Sequence, residues 1–214
     1  MDKATLWATY WAALVHDYEH GGLNNDFLIK TAHPMAITYS DDSPLEHHHI
    51  AAATRVFQNP DCRYLITRNA AFKVTSATSL ETENPKESLG RSLNWDEVKA
   101  EDKTLVHQMV LKCADIGHLA ADYRTHRQWS FKLEEEFFRQ GDKERDLGLP
   151  ISPLMDRDQK GGMTKSQMGF FSIVGIPLFQ ALVGLFNEAQ PMLDGVLANY
   201  KHWEATSKAS PPPQ

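Results

Sequence analysis

The sequence predicts an all-α fold, and three observations lead to this prediction. Apolar residues recur at three- and four-residue steps along most of the chain. Signals that start and stop helices, such as Ser43-Pro44 and Gly21-Gly22, stand at the ends of these stretches. No segment reads as a pair of strands, an internal repeat or a glycine-rich phosphate loop. We therefore expect helices alone to build the core of this 214-residue chain.

The first helix is predicted from four apolar residues at helical spacing, Trp7, Trp11, Leu14 and Tyr18. This pattern places His16 and Asp17 in the last turns of the helix. His20 follows His16 by four residues and so shares its face. Gly21-Gly22 is expected to end the helix.

A second helix is predicted to begin at Ser43. Ser43 suits the N-cap, Pro44 suits the first helical position, and Glu46 stands where a capping box requires an acidic residue. The helix then carries residues 47–49, which are three successive histidines.

The middle of the chain, residues 59–94, is rich in Thr, Ser, Asn and Glu and has little periodicity, which predicts an irregular connection. The helical signal returns near Asp96. A further helix is marked by Trp129 and Leu133, and a polar turn region is expected over residues 142–153.

An apolar helix is predicted from about Ser166, with a kink at Pro177. One more helix is expected over residues 187–203. The last residues, 209–214, include three prolines and are predicted to form a solvated, disordered tail.

Composition narrows the class of function. A formal net charge of −6 argues against nucleic acid as the main ligand, because a phosphate backbone requires a basic face. Cys62 and Cys113 make no disulfide framework, and Cys113 reads as a small core residue, so we expect an intracellular, cytoplasmic protein. No apolar run approaches the roughly 18 residues of a membrane span.

The most informative feature is His16-Asp17 together with the distant Asp115. An imidazole offers a neutral nitrogen ligand, and an adjacent carboxylate can bridge two hard divalent ions. Asp115 can complete the set from a second helix. This is how a helical metal-dependent phosphohydrolase builds its site.

Five segments, in order, resemble the motifs of class I 3′,5′-cyclic-nucleotide phosphodiesterases. The segment 16–25 is similar to His-Asp-x-x-His-x-Gly-x-x-Asn, and the segment 39–49 to Tyr-Asn-Asp-x-Ser-x-Leu-Glu-x-His-His. The segment 113–118 resembles Cys-Ala-Asp-Ile-Ser-His. Residues 135–153 contain Glu-Glu-Phe-Phe-Arg-Gln-Gly-Asp-Lys-Glu and Ile-Ser-Pro, and residues 165–170 contain Ser-Gln-x-Gly-Phe. The matching motifs extend over most of residues 5–205.

The resemblance implies a compact bundle of many helices around a two-metal pocket, with zinc at the tighter site and magnesium or manganese at the other. A hydroxide that bridges the metals would attack the phosphorus of cyclic AMP or cyclic GMP. The ring would then open to the 5′-monophosphate.

The resemblance also implies roles for individual residues. His16, Asp17 and Asp115 match metal ligands, and the two aspartates are also assigned to the substrate site. His20 matches a residue near the bridging hydroxide. Glu46 matches a carboxylate that holds metal-bound water, although the capping box explains it equally well. Residues 47–49 match packing or outer-shell histidines of the family.

Three residues match the base-binding part of the family's site. Gln167 matches the glutamine that reads the purine edge, and its amide can serve adenine or guanine because it offers both a donor and an acceptor. Phe170 matches the aromatic residue that stacks on the base. Leu133 matches the aliphatic residue opposite it.

The sequence departs from the family in two places. The upstream His-Asn-x-x-His segment, which supplies a general acid and a zinc ligand, is absent before His16. The signature Ala-Thr-Asp-Met-x-x-His is not found in residues 59–103. Smaller changes are Gly21 in place of Pro and His126 at a position that is often Tyr. We therefore expect residues 1–208 to form a partial catalytic domain that lacks the N-terminal helices.

These departures leave alternatives open. The chain could be an incomplete copy of a working phosphodiesterase, or a degenerate, non-catalytic helical module that binds nucleotide, metal or a partner. A third interpretation is a His-Asp phosphohydrolase that acts on non-cyclic nucleotides, and the Gln167–Phe170 signature counts against it. We expect the 214-residue chain alone to be strongly impaired, because general acid catalysis contributes about 10²–10⁴-fold.

Overall fold

A computed structural model of the chain describes residues 3–56, 58–59, 99–158 and 162–209. Helices make up the regular secondary structure of these residues. These residues contain no strand, so the all-α prediction is confirmed. The chain divides into two compact units. Within the described residues, the first unit comprises 3–56, 58–59 and 99–112, and the second comprises 113–158 and 162–209.

The first unit is built from five helices among its described residues: α1 Lys3–Val15, α2 Asn25–Lys30, α3 Pro34–Thr38, α4 Pro44–Val56 and α5 Ala100–Asp115. The last three residues of α5 belong to the second unit. Helices α2, α3 and α4 pack on one another, and α1 packs on α4.

Helix α1 buries a different face from the one that its large residues predict. The small residues Ala8 and Ala12 are buried along with Val15. Trp7 and Leu14 are 64% and 75% exposed. The expected amphipathic face is therefore wrong, because small side chains let the helix backbone lie close to its neighbours.

Helix α1 also ends earlier than predicted. It stops at Val15, so His16 and Asp17 lie in the turn after the helix rather than in its last turns. The backbone N–H groups of Tyr18 and His20 donate to carbonyls three residues back, which is the tighter bonding of a turn. Glu19 then adopts a left-handed φ of 61°, and this reverses the chain before Gly21 is reached.

The predicted start of α4 is confirmed. Pro44 is the first helical residue, and the Ser43 carbonyl accepts the first intrahelical hydrogen bond from His47 N–H at 3.1 Å. The φ of Pro44 suits a first helical position, and its missing N–H costs nothing there.

The second unit contains four α-helices and several short turns among its described residues. These are a 3₁₀ turn Gly117–Ala120, α6 Tyr123–Asp146, α7 Gly162–Phe170, a π turn Phe171–Gly175, α8 Ile176–Leu185, a 3₁₀ turn Asn187–Ala189 and α9 Gln190–Ala209. Helix α9 packs against α6, α7, α8 and the 3₁₀ turn 117–120.

Helix α6 runs through part of the region that was predicted to be a polar turn. It continues to Asp146 because the polar residues there are buried with partners. Gln140 Nε2 donates to Glu144 Oε1 at 3.0 Å, and the backbone N–H of Ser152 donates to Glu144 Oε2 at 2.6 Å. These bonds compensate the cost of burying the Glu144 carboxylate and hold the following loop against the helix.

The predicted kink near Pro177 is confirmed, and it takes the form of a π turn. Pro177 has no N–H to donate to the carbonyl four residues back. The Ile176 N–H donates to the Phe171 carbonyl, five residues back, and the helix then continues as α8.

Helix α9 fixes the turn 117–120 at two points. Asn199 Nδ2 donates to the carbonyls of Leu119 and Ala121, both at 2.8 Å. A Cβ on Gly195 would lie 2.4 Å from the Ala120 carbonyl oxygen, so the two backbones meet where only glycine fits.

The stretch Ser166–Leu185 is long and apolar enough to cross a membrane by length and composition, so the expectation that no run reaches such a length is wrong. Several of its residues, Phe171, Phe179 and Leu182, are buried in the second unit. A core helix of a globular protein has the same composition, and this stretch alone is weak evidence for a membrane span.

Cys113 is a buried, free cysteine, as predicted. Burial raises the pKa of its thiol to about 11, which keeps it protonated and unreactive. Cys62, residues 60–94 of the predicted irregular connection and residues 210–214 of the predicted tail lie outside the described residues.

Candidate functional site

The turn after α1 holds His16 and Asp17 side by side in the first unit. His16 Nδ1 donates to the Ala13 carbonyl at 2.9 Å, which leaves Nε2 as the nitrogen that faces Asp17 Oδ2 at 3.3 Å. Two atoms that both carry lone pairs attract at this distance only when a proton or a cation is shared between them. This pair is therefore a donor set that suits a divalent cation.

The Asp17 carboxylate is surrounded by histidines. The hydrogen bond with His16 lowers the pKa of Asp17, and the nearby His16, His20 and His49 lower it further, while partial burial acts in the opposite direction. Asp17 is therefore ionised at neutral pH. Its side chain is 60% exposed, so its oxygens are accessible to a ligand.

His49, on α4, is buried behind this carboxylate. Its Nδ1 donates to the Tyr18 carbonyl at 2.6 Å, and its Nε2 lies 3.9 Å from Asp17 Oδ1. Burial lowers the pKa of His49, against the effects of Tyr18 and Asp17. His49 thus links helix α4 to the turn that presents Asp17.

His20 has a defined ring orientation. The Gly22 N–H donates to His20 Nδ1 at 3.1 Å, so a neutral His20 carries its hydrogen on Nε2 and offers a donor there. Its ring lies 5.7 Å from the His49 ring, centroid to centroid. His20 can therefore donate a hydrogen bond close to Asp17.

The hydrogen bond of the Glu46 side chain tests one of its two interpretations, the capping box. Glu46 Oε2 accepts from Asn25 Nδ2 at 2.9 Å, and Asn25 Oδ1 accepts from the Leu45 N–H at 2.9 Å. The carboxylate is thus bonded to a side chain of α2 and not to the Ser43 N–H, so the capping-box interpretation is wrong. Its role near a metal-bound water stays a prediction.

The three histidines of residues 47–49 make structural contacts. His47 Nδ1 lies 2.8 Å from the Asp42 carbonyl, and its ring stacks on Tyr39. His48 Nε2 lies 2.9 Å from Glu19 Oε2. These contacts agree with the packing interpretation of the tract.

Asp115 is the last residue of α5 and is exposed. The turn 117–120 follows it directly and carries His118. Burial lowers the pKa of His118, and the charge of Asp115 opposes this effect. Asp115 therefore stands at the point where a helix gives way to a turn that α9 anchors.

A chain of hydrogen bonds fixes two histidines behind this turn. Trp203 Nε1 donates to His126 Nε2 at 2.7 Å, so the hydrogen of a neutral His126 is on Nδ1. His126 Nδ1 lies 3.1 Å from His118 Nδ1, and the two rings are stacked. Burial, then the neighbouring His118, lower the pKa of His126 to about 4.

The residues assigned to base binding lie on α6 and α7, which pack together. Ser130 Oγ lies 3.3 Å from Gln167 Oε1 and 3.1 Å from the His126 carbonyl oxygen. Leu133, which is 40% exposed, and the half-buried Phe170 each follow this contact by three residues on their own helix. Two accessible side chains, one aliphatic and one aromatic, thus flank the buried amide of Gln167.

The comparisons with known proteins are consistent with these arrangements. The family model described as 3′5′-cyclic nucleotide phosphodiesterase matches residues 1–196. The chain belongs to the cyclic-nucleotide phosphodiesterase family. The phosphodiesterase domain of the RhoPDE fusion protein from the choanoflagellate Salpingoeca rosetta has a similar structure, with a TM-score of 0.86 and 28% identity. The match covers 98% of this chain and 71% of that one.

Curated relatives carry the same family name. The dual specificity calcium/calmodulin-dependent 3′,5′-cyclic nucleotide phosphodiesterase 1B of Cricetulus griseus is 35% identical over 205 residues, which are 91% of this chain and 38% of that protein. The corresponding phosphodiesterase 1C of Homo sapiens is 34% identical over 206 residues, 91% of this chain and 29% of its own length. The chain thus spans roughly a third of the length of these relatives.

Three contacts of the candidate site residues were not predicted from the sequence. His49 lies behind Asp17, Asn25 holds Glu46, and Ser130 contacts Gln167. The sequence did carry a signal for two of these residues. Asn25 is the last position of the His-Asp motif, and His49 belongs to the histidine tract 47–49. Ser130 gave no signal, because a serine inside a helix has no preferred role.

Proposed function

We propose that the chain provides most of a site that hydrolyses a 3′,5′-cyclic nucleotide to its 5′-monophosphate with divalent metals. The single observation that carries the proposal is the donor set of His16 and Asp17, with an imidazole Nε2 3.3 Å from an ionised carboxylate, in a chain of this family. An imidazole nitrogen with carboxylate oxygens suits zinc, and the carboxylate oxygens also suit magnesium or manganese.

Asp115 is proposed as the third ligand. Ala12 of α1 and Leu111 of α5 are buried together in the first unit. His16 follows Ala12 by four residues, and Asp115 follows Leu111 by four residues on its helix. Asp115 therefore lies about one helical turn beyond Leu111 on α5.

Divalent ions bound by these residues would lower the pKa of water and stabilise negative charge on the phosphate. The chain's own residues have distinct tasks. The Ala13 carbonyl keeps His16 Nε2 as the ligand atom. The His20 Nε2–H can donate to a phosphate oxygen, and His49 holds the turn that carries Asp17. Gln167, Phe170 and Leu133 would bind the base.

The 214-residue chain by itself is expected to hydrolyse the cyclic nucleotide slowly. None of residues 1–15 is a histidine, so these residues provide neither the family's proton donor nor its remaining imidazole ligand. The absence of general acid catalysis costs about 10²–10⁴-fold. Addition of a peptide that contains the family's His-Asn-x-x-His segment is therefore expected to raise the rate.

The proposal is tested with two matched aspartate variants of α5. Asp115→Asn removes a proposed ligand, and Asp102→Asn removes an exposed carboxylate at the other end of the same helix. We expect Asp115→Asn to weaken zinc binding by at least about 10-fold in calorimetry, and to abolish hydrolysis of cyclic AMP and cyclic GMP. Asp102→Asn should leave both unchanged.

Equal zinc affinity in the two variants would remove Asp115 from the ligand set. Nucleotide binding with no turnover, even with the added peptide, would instead favour the non-catalytic binding module.

A further inference from the structure

Glu19 has a backbone conformation that suits glycine, and it lies in the turn that presents His16 and Asp17. Its φ of 61° is left-handed. A side chain makes this conformation sterically unfavourable, whereas glycine adopts it freely. Glu19 follows Asp17 by two residues and directly precedes His20. A contact that stabilises Glu19 therefore also fixes the residues on either side of it.

The side chain of Glu19 makes such a contact with helix α4. Glu19 Oε2 lies 2.9 Å from His48 Nε2. A neutral imidazole with its hydrogen on Nε2 donates to this carboxylate. The next residue of α4, His49, donates through Nδ1 to the Tyr18 carbonyl at 2.6 Å. Two successive histidines of α4 thus hold two successive residues of the turn, Tyr18 through its backbone and Glu19 through its side chain.

The Glu19–His48 pair acts on the turn more than on the stability of the whole chain. The Glu19 side chain is 53% exposed, and pairs at such exposure contribute little to global stability because water competes for both partners. In contrast, a neighbour that fixes the orientation of metal ligands typically changes metal affinity by about 10–100-fold. Loss of the pair should therefore lower metal affinity and leave the unfolding temperature nearly unchanged.

We propose that Glu19 is a positioning residue for the metal site, an inference that rests on the proposed function. Its bond to His48 keeps the turn in the left-handed conformation, and the turn keeps the Asp17 carboxylate beside His16 Nε2. Without this bond the turn relaxes towards commoner backbone conformations, and the two ligand atoms no longer meet at one cation. Glu19 needs no contact with metal or substrate for this role.

The test measures the zinc affinity of the whole chain and of its variants by calorimetry. Glu19→Ala removes the bond and keeps the unfavourable φ, so zinc affinity is expected to fall about 10-fold. Glu19→Gly also removes the bond but adopts the left-handed φ freely, so its loss should be smaller. Glu19→Gln keeps an oxygen that accepts from His48 and should bind zinc like the wild type.

His48→Ala tests the bond from the side of α4. Its loss of zinc affinity should equal that of Glu19→Ala. The double variant should lose no more than His48→Ala alone, because both substitutions remove the same bond.

Asp26→Ala is the matched control. Asp26 belongs to the same unit, its side chain is 56% exposed, and its carboxylate pairs with Lys30, four residues along α2. Its removal deletes a carboxylate of similar exposure that pairs within its own helix. Zinc affinity should equal that of the wild type, and thermal unfolding should show that every variant is folded.

Three results would overturn the inference. Zinc binding by Glu19→Ala as tight as that of Asp26→Ala would show that Glu19 does not position the site. An equal loss in Glu19→Gln and Glu19→Ala would show that the negative charge acts and not the bond. A folded wild type that binds no zinc would overturn the proposed function as well, which distinguishes that failure from the first two.

Discussion

At the residue scale, the neighbours of Asp17 fix the surroundings of its carboxylate. His16 lies beside it, His49 stands behind it, and the Ala13 and Tyr18 carbonyls each accept from one of these rings. Each carbonyl fixes the hydrogen of its histidine on Nδ1, so that the Nε2 atom of that ring faces the Asp17 carboxylate. The motif predicted His16 and Asp17, but the ring orientations depend on backbone atoms that no motif specifies.

The buried ring of His126 has a strongly lowered pKa of about 4, caused first by burial and then by the neighbouring His118. In the unfolded chain the pKa of a histidine is about 6.5. Between these values the unfolded state binds a proton that the folded state does not, so stability rises with pH over this range. The contribution of His126 is full above about pH 6.5 and is lost as the pH falls towards 4.

We predict that the His126 ring stays neutral down to about pH 4 and accounts for about 3 kcal/mol of stability between pH 4 and pH 6.5. The ring protons of His126, followed by NMR as the pH is lowered, check the first part. Urea unfolding of the wild type and of His126→Gln at several pH values checks the second, because the variant should lose most of this slope. A ring that titrates near pH 6.5 would contradict the prediction.

At the scale of elements, the sequence predicted best where local chemistry decides. Ser43-Pro44 set the start of α4, and Pro177 set the interruption before α8. The end of α6 was missed, because the polar residues 142–146, which include Glu144, were predicted to belong to a turn. Glu144 stays helical because Ser152, eight residues later, and Gln140 donate to its buried carboxylate. Such a partner can be recognised only after folding.

The end of α6 also contains a close contact that can be tested. A Cβ on Gly141 would lie 1.9 Å from the Met155 carbonyl oxygen, whereas one on Gly169 of α7 would meet nothing within 4 Å. Gly141→Ala should therefore reduce the free energy of unfolding by about 2 kcal/mol or more, since backbone must move. Gly169→Ala should be neutral or stabilising by up to about 1 kcal/mol.

Urea unfolding of both glycine variants is the measurement. If Gly141→Ala is as stable as Gly169→Ala, the loop after α6 does not lie against this helix as described.

At the scale of the whole molecule, the helical class and the family follow from the sequence, because several motifs occur in order over most of the chain. The candidate site is less predictable. His16 and Asp17 belong to the first unit, while Asp115 and Gln167 belong to the second. Motifs name these residues, but long-range packing supplies the partners, such as Ser130 for Gln167 and His49 for Asp17.

The central claim is that this chain acts on the 3′,5′-cyclic phosphate of a nucleotide. The most direct measurement is product analysis by chromatography after the zinc- and magnesium-loaded chain is incubated separately with 3′,5′-cyclic AMP, 2′,3′-cyclic AMP and AMP. We predict slow, metal-dependent conversion of the 3′,5′-cyclic nucleotide to 5′-AMP and no change in the other two. Release of phosphate from AMP, or conversion of the 2′,3′-cyclic nucleotide alone, would contradict the claim.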